Sequence, residues 1–121
     1  MNSDTIGGRA LDAAVARHVF GLEVETRVNA RTGDMEAVCR QRGKQWVRVG
    51  YYAGSTDASL NVAYELWRQG WTWRREVRTV SVWSQPGVQR VALEHTDGRT
   101  VEAEGASVYE ALCRVALKAV M

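Results

Sequence analysis

The segment that most constrains this fold is the last one, which the sequence predicts as a helix over residues 107–120. Ser107 followed three positions later by Glu110 forms a capping box, a pattern typical of a helix start. Glu110, Arg114 and Lys118 are spaced four apart, so they form one narrow charged stripe. The rest of the circumference is apolar and consists of Val108, Ala111, Leu112, Cys113, Val115, Leu117 and Val120.

This distribution of apolar residues determines what must surround the last helix. A helix that is apolar over most of its circumference must be covered on more than one side. In a chain of 121 residues, one cover is the sheet. The other cover is either the first helix or a second subunit. We therefore predict a homo-oligomer.

The remaining periodic patterns predict the fold class. Leu11, Val15 and Val19 recur every four residues, which indicates a helix that ends near Gly21. Strand-like segments surround several turn signals, of which Asp97-Gly98 is the strongest hairpin signal. We predict an α+β class with a single layered domain over residues 1–121. It has a mainly antiparallel sheet of about five to six strands and three helices, near residues 8–20, 57–69 and 107–120.

The middle helix follows a loop that ends in three residues typical of helix caps. Its periodicity predicts a buried apolar face. The residues of that predicted face are Leu60, Ala63, Tyr64 and Trp67.

The composition and the hydrophobic pattern favour a soluble globular protein over a membrane-spanning or secreted one. Hydrophobic residues make up 45% of the chain and charged residues 25%, as in ordinary soluble globular proteins. No segment approaches the roughly 18 consecutive apolar residues that a membrane span requires. Residues 1–5 lack the basic start and apolar run of a secretory signal. We therefore expect a cytoplasmic protein without membrane contact, in which Cys39 and Cys113 are reduced.

No arrangement of residues predicts catalysis. Neither His18 nor His95 has a spaced partner, and no glycine-framed serine is present in the sequence. The two cysteines and two histidines share no spacing of a metal site, and phosphate-loop and dinucleotide fingerprints are absent from the sequence. We expect no enzymatic activity, no catalytic residues, no metal and no cofactor.

Arginine dominates the positive charge, with fourteen arginines against two lysines and a formal net charge of +2. Guanidinium groups pair with carboxylates and phosphates in two-point geometry and stack on aromatic rings. Basic runs near residues 40–48 and 68–78 contrast with an acidic segment at residues 94–110. The basic and acidic segments either pair with each other between subunits or form solvated surfaces without a partner.

Two segments are candidates for a binding surface. The first alternates tryptophan with arginine between Trp67 and Arg75, which suits bases and phosphates. Its tryptophans are either such a contact surface or part of the core. The second is the loop at residues 51–57, where a helix start offers free backbone N–H groups to an anion. Asp57 at that start would instead cap the helix and repel an anion. The candidate ligand-binding residues are Tyr51, Tyr52, Ser55, Thr56, Trp71, Trp73, Arg74 and Arg75.

Three blocks of the chain together resemble a known family. The blocks are Gly8-Arg9-Ala10-Leu11-Asp12-Ala13-Ala14-Val15-Ala16 leading to Val19-Phe20-Gly21, then Tyr52 with Ser55-Thr56-Asp57 opening a helix that contains Ala63-Tyr64-Glu65, and finally Glu110-Ala111-Leu112-Cys113-Arg114-Val115-Ala116-Leu117. In this order and spacing they resemble the phage ABA sandwich domain family. The chain departs from that pattern by Ala53-Gly54 and by the Trp- and Arg-rich segment from Trp71 to Gln89.

The resemblance implies a small α/β layered domain encoded by a tailed phage or prophage, in a bacterial host cell, and it implies no particular activity. Small phage proteins commonly act by binding, for example by sequestering nucleotide signals or blocking a host protein. Our leading hypothesis is a non-enzymatic accessory protein that binds a nucleotide-like, phosphorylated small molecule or a host protein. The alternatives are a single-stranded nucleic-acid-binding protein, which we do not favour, and a structural protein.

Overall fold

The computed structural model describes residues 7–78 and 88–121, and for residues 73–78 and 88 the backbone alone. Its elements, in chain order, are α1 (Gly8–His18), β1 (Glu23–Val28), β2 (Met35–Arg40), β3 (Val47–Arg48), α2 (Thr56–Arg68), β4 (Trp71–Arg78), β5 (Val88–His95), β6 (Thr100–Gly105) and α3 (Val108–Val120). The predicted α+β class, its three helices and its antiparallel strands are confirmed. The predicted turn at residues 84–87 lies outside the described residues.

The strands form two sheets rather than one. Sheet A has the order β1-β2-β3 and sheet B the order β4-β5-β6, and all neighbouring strands are antiparallel. The Asp97-Gly98 turn joins β5 to β6 as its sequence predicts, with Gly98 at a φ of +94° that favours glycine. Each sheet is therefore a meander built from neighbouring segments of the chain.

Helix α3 is buried between sheet B and the other two helices. It packs against β5 and β6 and also against α1 and α2. Its six buried positions are Ala111, Leu112, Cys113, Val115, Ala116 and Leu117. The approach to β6 is close, because a Cβ added to Gly105 would lie 2.7 Å from the backbone nitrogen of Ala111. The first helix thus provides the second cover that the sequence required. The apolar circumference of α3 therefore does not require a second subunit, and the homo-oligomer stays a prediction.

The charged stripe of α3 borders the outer edge of β6. Arg114 pairs with Glu110 at 2.8 Å and donates to the backbone carbonyl of Glu104 at 2.9 Å. Lys118 donates to the carbonyl of Glu102, also at 2.9 Å. Long basic side chains therefore satisfy carbonyl groups of an edge strand that would otherwise be open to another strand.

Helix α1 links two apolar clusters. Its buried residues Leu11 and Val15 belong to the main core between sheet B and the helices. Its residue Ala16 packs in a smaller cluster with Cys39 of β2 and Val49. The two cysteines are free and buried, one in each cluster.

The predicted buried face of α2 is wrong for three of its four residues. Leu60, Tyr64 and Trp67 are 58%, 62% and 63% exposed, and Ala63 alone is buried. The helix instead buries Ser59, Val62, Ala63 and Leu66. The physical reason is that α2 carries apolar residues on two adjoining stripes. The stripe with smaller side chains faces α3 and β4, because small side chains let packed elements approach closely.

Candidate functional site

A groove with several charged side chains in its lining lies between the β1–β2 hairpin and the beginning of α1. It has a volume of about 380 Å³, within the range typical of small-ligand sites. We call it the hairpin groove. Its lining residues are Arg9, Asn29, Thr32, Asp34, Met35, Glu36, Ala37, Arg48 and Tyr51.

Arg9 forms one wall of the hairpin groove and is held there by four contacts. Its guanidinium donates to the carboxylate of Asp12 at 2.7 Å. It also donates to the backbone carbonyls of Val49 and Gly50, at 2.6 and 3.0 Å. The same group lies 3.9 Å from the centre of the Tyr51 ring. Arg9 and Tyr51 are therefore preorganised as a stacked pair, with Tyr51 50% exposed to solvent.

Asp12 is the buried anchor of this arrangement. It is 3% exposed, and besides Arg9 it accepts the backbone N–H of Ala53 at 2.9 Å. A buried carboxylate is stable only when it is paired and hydrogen-bonded, and here both partners come from the region of the groove. The carboxylate thereby fixes the loop that carries Tyr51 against the first turns of α1.

The part of the groove lining that comes from sheet A and the β1–β2 turn combines positive and negative groups. Arg48 of β3 pairs with Glu36 of β2 at 3.3 Å. The side-chain amide of Asn29 donates to the same Glu36 carboxylate, at 3.3 Å. Asp34 completes this part of the lining. The groove thus offers two guanidinium groups, an aromatic ring and two carboxylates, which suits a ligand with both an anionic group and hydrogen-bond donors.

The structure places the predicted loop residues in different roles. Tyr51 lines the hairpin groove, whereas Tyr52 stacks on Phe20 with ring centres 5.1 Å apart, and burial raises the pKa of Tyr52. Ser55 is the N-cap of α2 and accepts the N–H of Ala58. Ser55 therefore caps this helix instead of Asp57, which lies in its first turn.

Thr56 and Trp71 have structural partners. The Thr56 hydroxyl lies 2.7 Å from the hydroxyl of Tyr109, which joins the beginnings of α2 and α3. Trp71 is 3% exposed and belongs to the main core, where it meets His95 edge-on with ring centres 4.8 Å apart. Trp73, Arg74 and Arg75 lie on β4, and the prediction made for their side chains lies outside the described part.

His95 has structural partners, and the two thiols are buried. His95 Nε2 lies 2.9 Å from the carbonyl oxygen of Gln69, and its Nδ1 accepts the N–H of Asp97. Burial raises the pKa of the Cys39 and Cys113 thiols above the ordinary value, which disfavours the reactive thiolate. Within residues 7–78 and 88–121, no cluster of three or more His, Cys, Asp or Glu side chains could hold a metal ion.

Two of the four cationic side chains in the basic run at residues 40–48 are paired within sheet A. Arg40 pairs with Glu23, just as Arg48 pairs with Glu36 on the groove wall. The Trp46 ring has the guanidinium groups of Arg27 and Arg40 at 4.4 Å each. This face therefore presents less free charge and less free aromatic surface than the sequence indicates.

A second surface is apolar and lies on α2. Leu60, Tyr64 and Trp67 form the exposed stripe described above, and the Tyr64 and Trp67 rings lie 6.0 Å apart. The stripe continues into a hollow of about 70 Å³ between α2 and α3 that Leu60 and Leu112 help to line. We call the stripe and the hollow together the α2 face.

Comparison with known proteins defines the class of fold that carries these two surfaces. No family model and no curated protein matches the chain. Its fold is similar to the crystal structure of a phage protein from Bacillus cereus ATCC 14579, with 15% sequence identity and a TM-score of 0.63. The similarity covers 99% of this chain and 93% of that one. The two chains therefore share their fold over nearly their whole length.

Sequence reasoning identified Tyr51 but missed the side chains around it. Arg9, Asn29, Glu36 and Arg48 come from three separate segments that the fold brings together. One signal was present in the sequence. Asp12 lies among apolar residues of α1, and Arg9 precedes it by three positions, the spacing of an ion pair on one helix face.

Within the described residues, no helix is long and apolar enough to cross a membrane.

Proposed function

We propose that this protein is a non-enzymatic phage or prophage accessory protein that binds a small phosphorylated, nucleotide-like ligand in the hairpin groove. The observation that carries the proposal is the stacked pair of Arg9 and Tyr51, fixed by the buried Asp12 carboxylate. Preorganised side chains lose less entropy on binding than mobile ones, which raises affinity. The shared fold with the Bacillus cereus phage protein supports a phage origin.

The groove groups match the parts of a nucleotide. The half-exposed Tyr51 ring offers a surface on which a base can stack. Arg48 has a half-exposed side chain, and its guanidinium suits the two-point recognition of a phosphate. Glu36 and Asn29 supply acceptors and donors for hydroxyl or amino groups of the ligand.

Binding rather than catalysis is supported by the structural contacts of His95 and Asp12. His95 uses both ring nitrogens in the turns between α2 and β4 and between β5 and β6. Asp12 is paired with Arg9 and the Ala53 N–H. Each of these groups would have to break structural contacts before it could act as an acid or base on a ligand.

Isothermal titration with adenosine and guanosine mono-, di- and triphosphates tests the proposal, with inorganic phosphate as the charge-only probe. We expect at least one nucleotide to bind, and native mass spectrometry of freshly purified protein to show a captured ligand as excess mass. Tyr51→Ala removes the stacking ring, and Arg48→Gln removes the charge. Each should weaken nucleotide binding about tenfold or more.

Tyr64→Ala is the matched control, because it removes a similar exposed ring outside the groove. A protein that carries no excess mass and binds no nucleotide in the millimolar range would contradict the proposal and favour a host protein as target. Binding of an oligonucleotide that falls steeply with added salt would instead favour the single-stranded nucleic-acid alternative, because counterion release drives such binding. Finding the protein in purified phage particles would favour a structural role.

A further inference from the structure

We infer that the α2 face is a self-association surface, on which a second copy of this chain packs its own α2 in antiparallel orientation. This inference is independent of the ligand proposed for the hairpin groove. The α2 face presents Leu60, Tyr64 and Trp67 at more than half exposure each. Aromatic side chains dominate the energetics of protein interfaces, and adjacent exposed ones mark interaction surfaces.

The charges beside the stripe indicate the partner and its orientation. Asp57 in the first turn and Arg68 in the last turn of α2 lie on the same flank of the stripe, by the helical period of 100° per residue. They are eleven residues apart, so about 16 Å separates them along the axis. The two ends of one flank therefore carry opposite charges.

When a two-fold axis relates two antiparallel helices, each flank of one helix lies beside the same flank of the other helix, and the two flanks run in opposite directions. Asp57 of one copy then meets Arg68 of the other, and the pair forms twice. In a parallel arrangement the two-fold axis runs along the helices and places this flank beside the opposite flank of the second copy, so Asp57 and Arg68 would not meet each other. Arg68 also pairs with Glu65 at 3.1 Å, and its side chain is 61% exposed. The surface is thus self-complementary only in the antiparallel dimer.

The size of the stripe sets the strength expected of the dimer. Buried aromatic side chains contribute about 150–250 Å² each, so Tyr64, Trp67 and Leu60 at their observed exposures offer on the order of 300 Å² per copy. A standard stable interface needs about 800 Å² per partner. We therefore expect a weak, reversible dimer with a dissociation constant on the order of 100 µM.

Sedimentation equilibrium from about 1 µM to about 1 mM of the full chain measures this association. The expected result is a shift from the 13.5 kDa monomer towards twice that mass. Tyr64→Glu should keep the protein monomeric over the whole range. Val47→Glu is the matched control, because Val47 is 58% exposed on β3, away from α2. It should dimerise like the wild type.

Two charge reversals test the orientation. Asp57→Lys alone and Arg68→Glu alone place like charges opposite each other in the antiparallel dimer, and each should weaken association about tenfold. An equimolar mixture of the two variants restores both attractive pairs and should recover wild-type association. Recovery in the mixture also shows that both variants are folded.

A monomer at all concentrations, or a dimer that Tyr64→Glu leaves intact, would overturn self-association through this face. The groove titration would remain valid in either case, since it does not depend on the dimer. Association that Tyr64→Glu abolishes but Asp57→Lys leaves unchanged would overturn the antiparallel arrangement.

Discussion

The carboxylate of Asp12 accepts the backbone N–H of Ala53 at 2.9 Å, across 41 positions of sequence. Asp12 lies on α1, and Ala53 lies in the loop before α2, so this one contact fixes that loop against the first helix. The same carboxylate holds Arg9. The position of the groove residue Tyr51 therefore depends on a buried acid that the ligand need not touch.

Replacing Asp12 by alanine should lower the free energy of unfolding by about 2–4 kcal/mol, because it leaves the Ala53 N–H and the Arg9 guanidinium without their buried partner. Urea denaturation followed by circular dichroism measures the loss. Glu94→Ala is the control, since Glu94 is exposed on β5, and it should change stability by less than about 0.5 kcal/mol. Equal effects of the two substitutions would show that Asp12 is not an anchor.

The orientation of α2 is tested by the same leucine-to-alanine substitution on each of its two apolar stripes. Leu66 is fully buried and Leu60 is 58% exposed. Leu66→Ala should cost about 2–5 kcal/mol of unfolding free energy, because it leaves a cavity in the core. Leu60→Ala should cost less than about 0.5 kcal/mol. Thermal and urea unfolding at low protein concentration measure the two losses. A larger loss for Leu60→Ala than for Leu66→Ala would support the buried face that the sequence predicted.

The acid sensitivity of α2 should depend on Glu65. Hydrogen bonds from Arg68, with a contribution from Gln69, hold the pKa of the Glu65 carboxyl below its ordinary value of 4.5. Because the folded-state pKa is lowered, the stabilisation is present above the unfolded pKa and is lost as pH falls through the folded pKa. At about pH 7, Glu65→Gln should therefore be less stable than the wild type by up to about 1 kcal/mol.

That difference should shrink towards zero as unfolding curves are recorded at increasingly acid pH, beyond the ordinary pKa of a glutamate. Leu60→Ala serves as the control, since it changes no titratable group and should show no such pH dependence. A Glu65→Gln difference that stays constant from neutral to acid pH would argue against the Arg68 contact as its source.

The two thiols should be protected from modification in the native protein. Burial raises the pKa of both, and Cys113 in the main core is fully covered while Cys39 is 4% exposed. A disulfide reagent at about pH 8 should therefore label Cys113 only when the protein unfolds, and Cys39 sooner through local opening of sheet A. The variants Cys39→Ala and Cys113→Ala assign each rate. Rapid native labelling of the protein that retains only Cys113 would contradict the packing of α3.

Much of the fold was predictable, because local patterns specify local structure. The capping residue Ser107, the Asp97-Gly98 turn and the four-residue spacing of Glu110, Arg114 and Lys118 act within a few residues of each other. The structure confirms the helix, the hairpin and the charged stripe that they predict. The hairpin groove was predictable only through Tyr51, since Arg9 and Arg48 reach it from segments 39 positions apart in sequence.

The sequence by itself determined where the helices and strands lie, because periodicity, caps and turn residues are properties of short segments. Only the tertiary structure decided which stripe of α2 is buried. Both stripes are apolar, so the hydrophobic pattern permits either. The stripe with Val62, Ala63 and Leu66 packs inside, and the bulkier Tyr64 and Trp67 are left outside. That choice depends on the shape of the surface that α3 and sheet B present to α2. The sequence near α2 does not determine that shape.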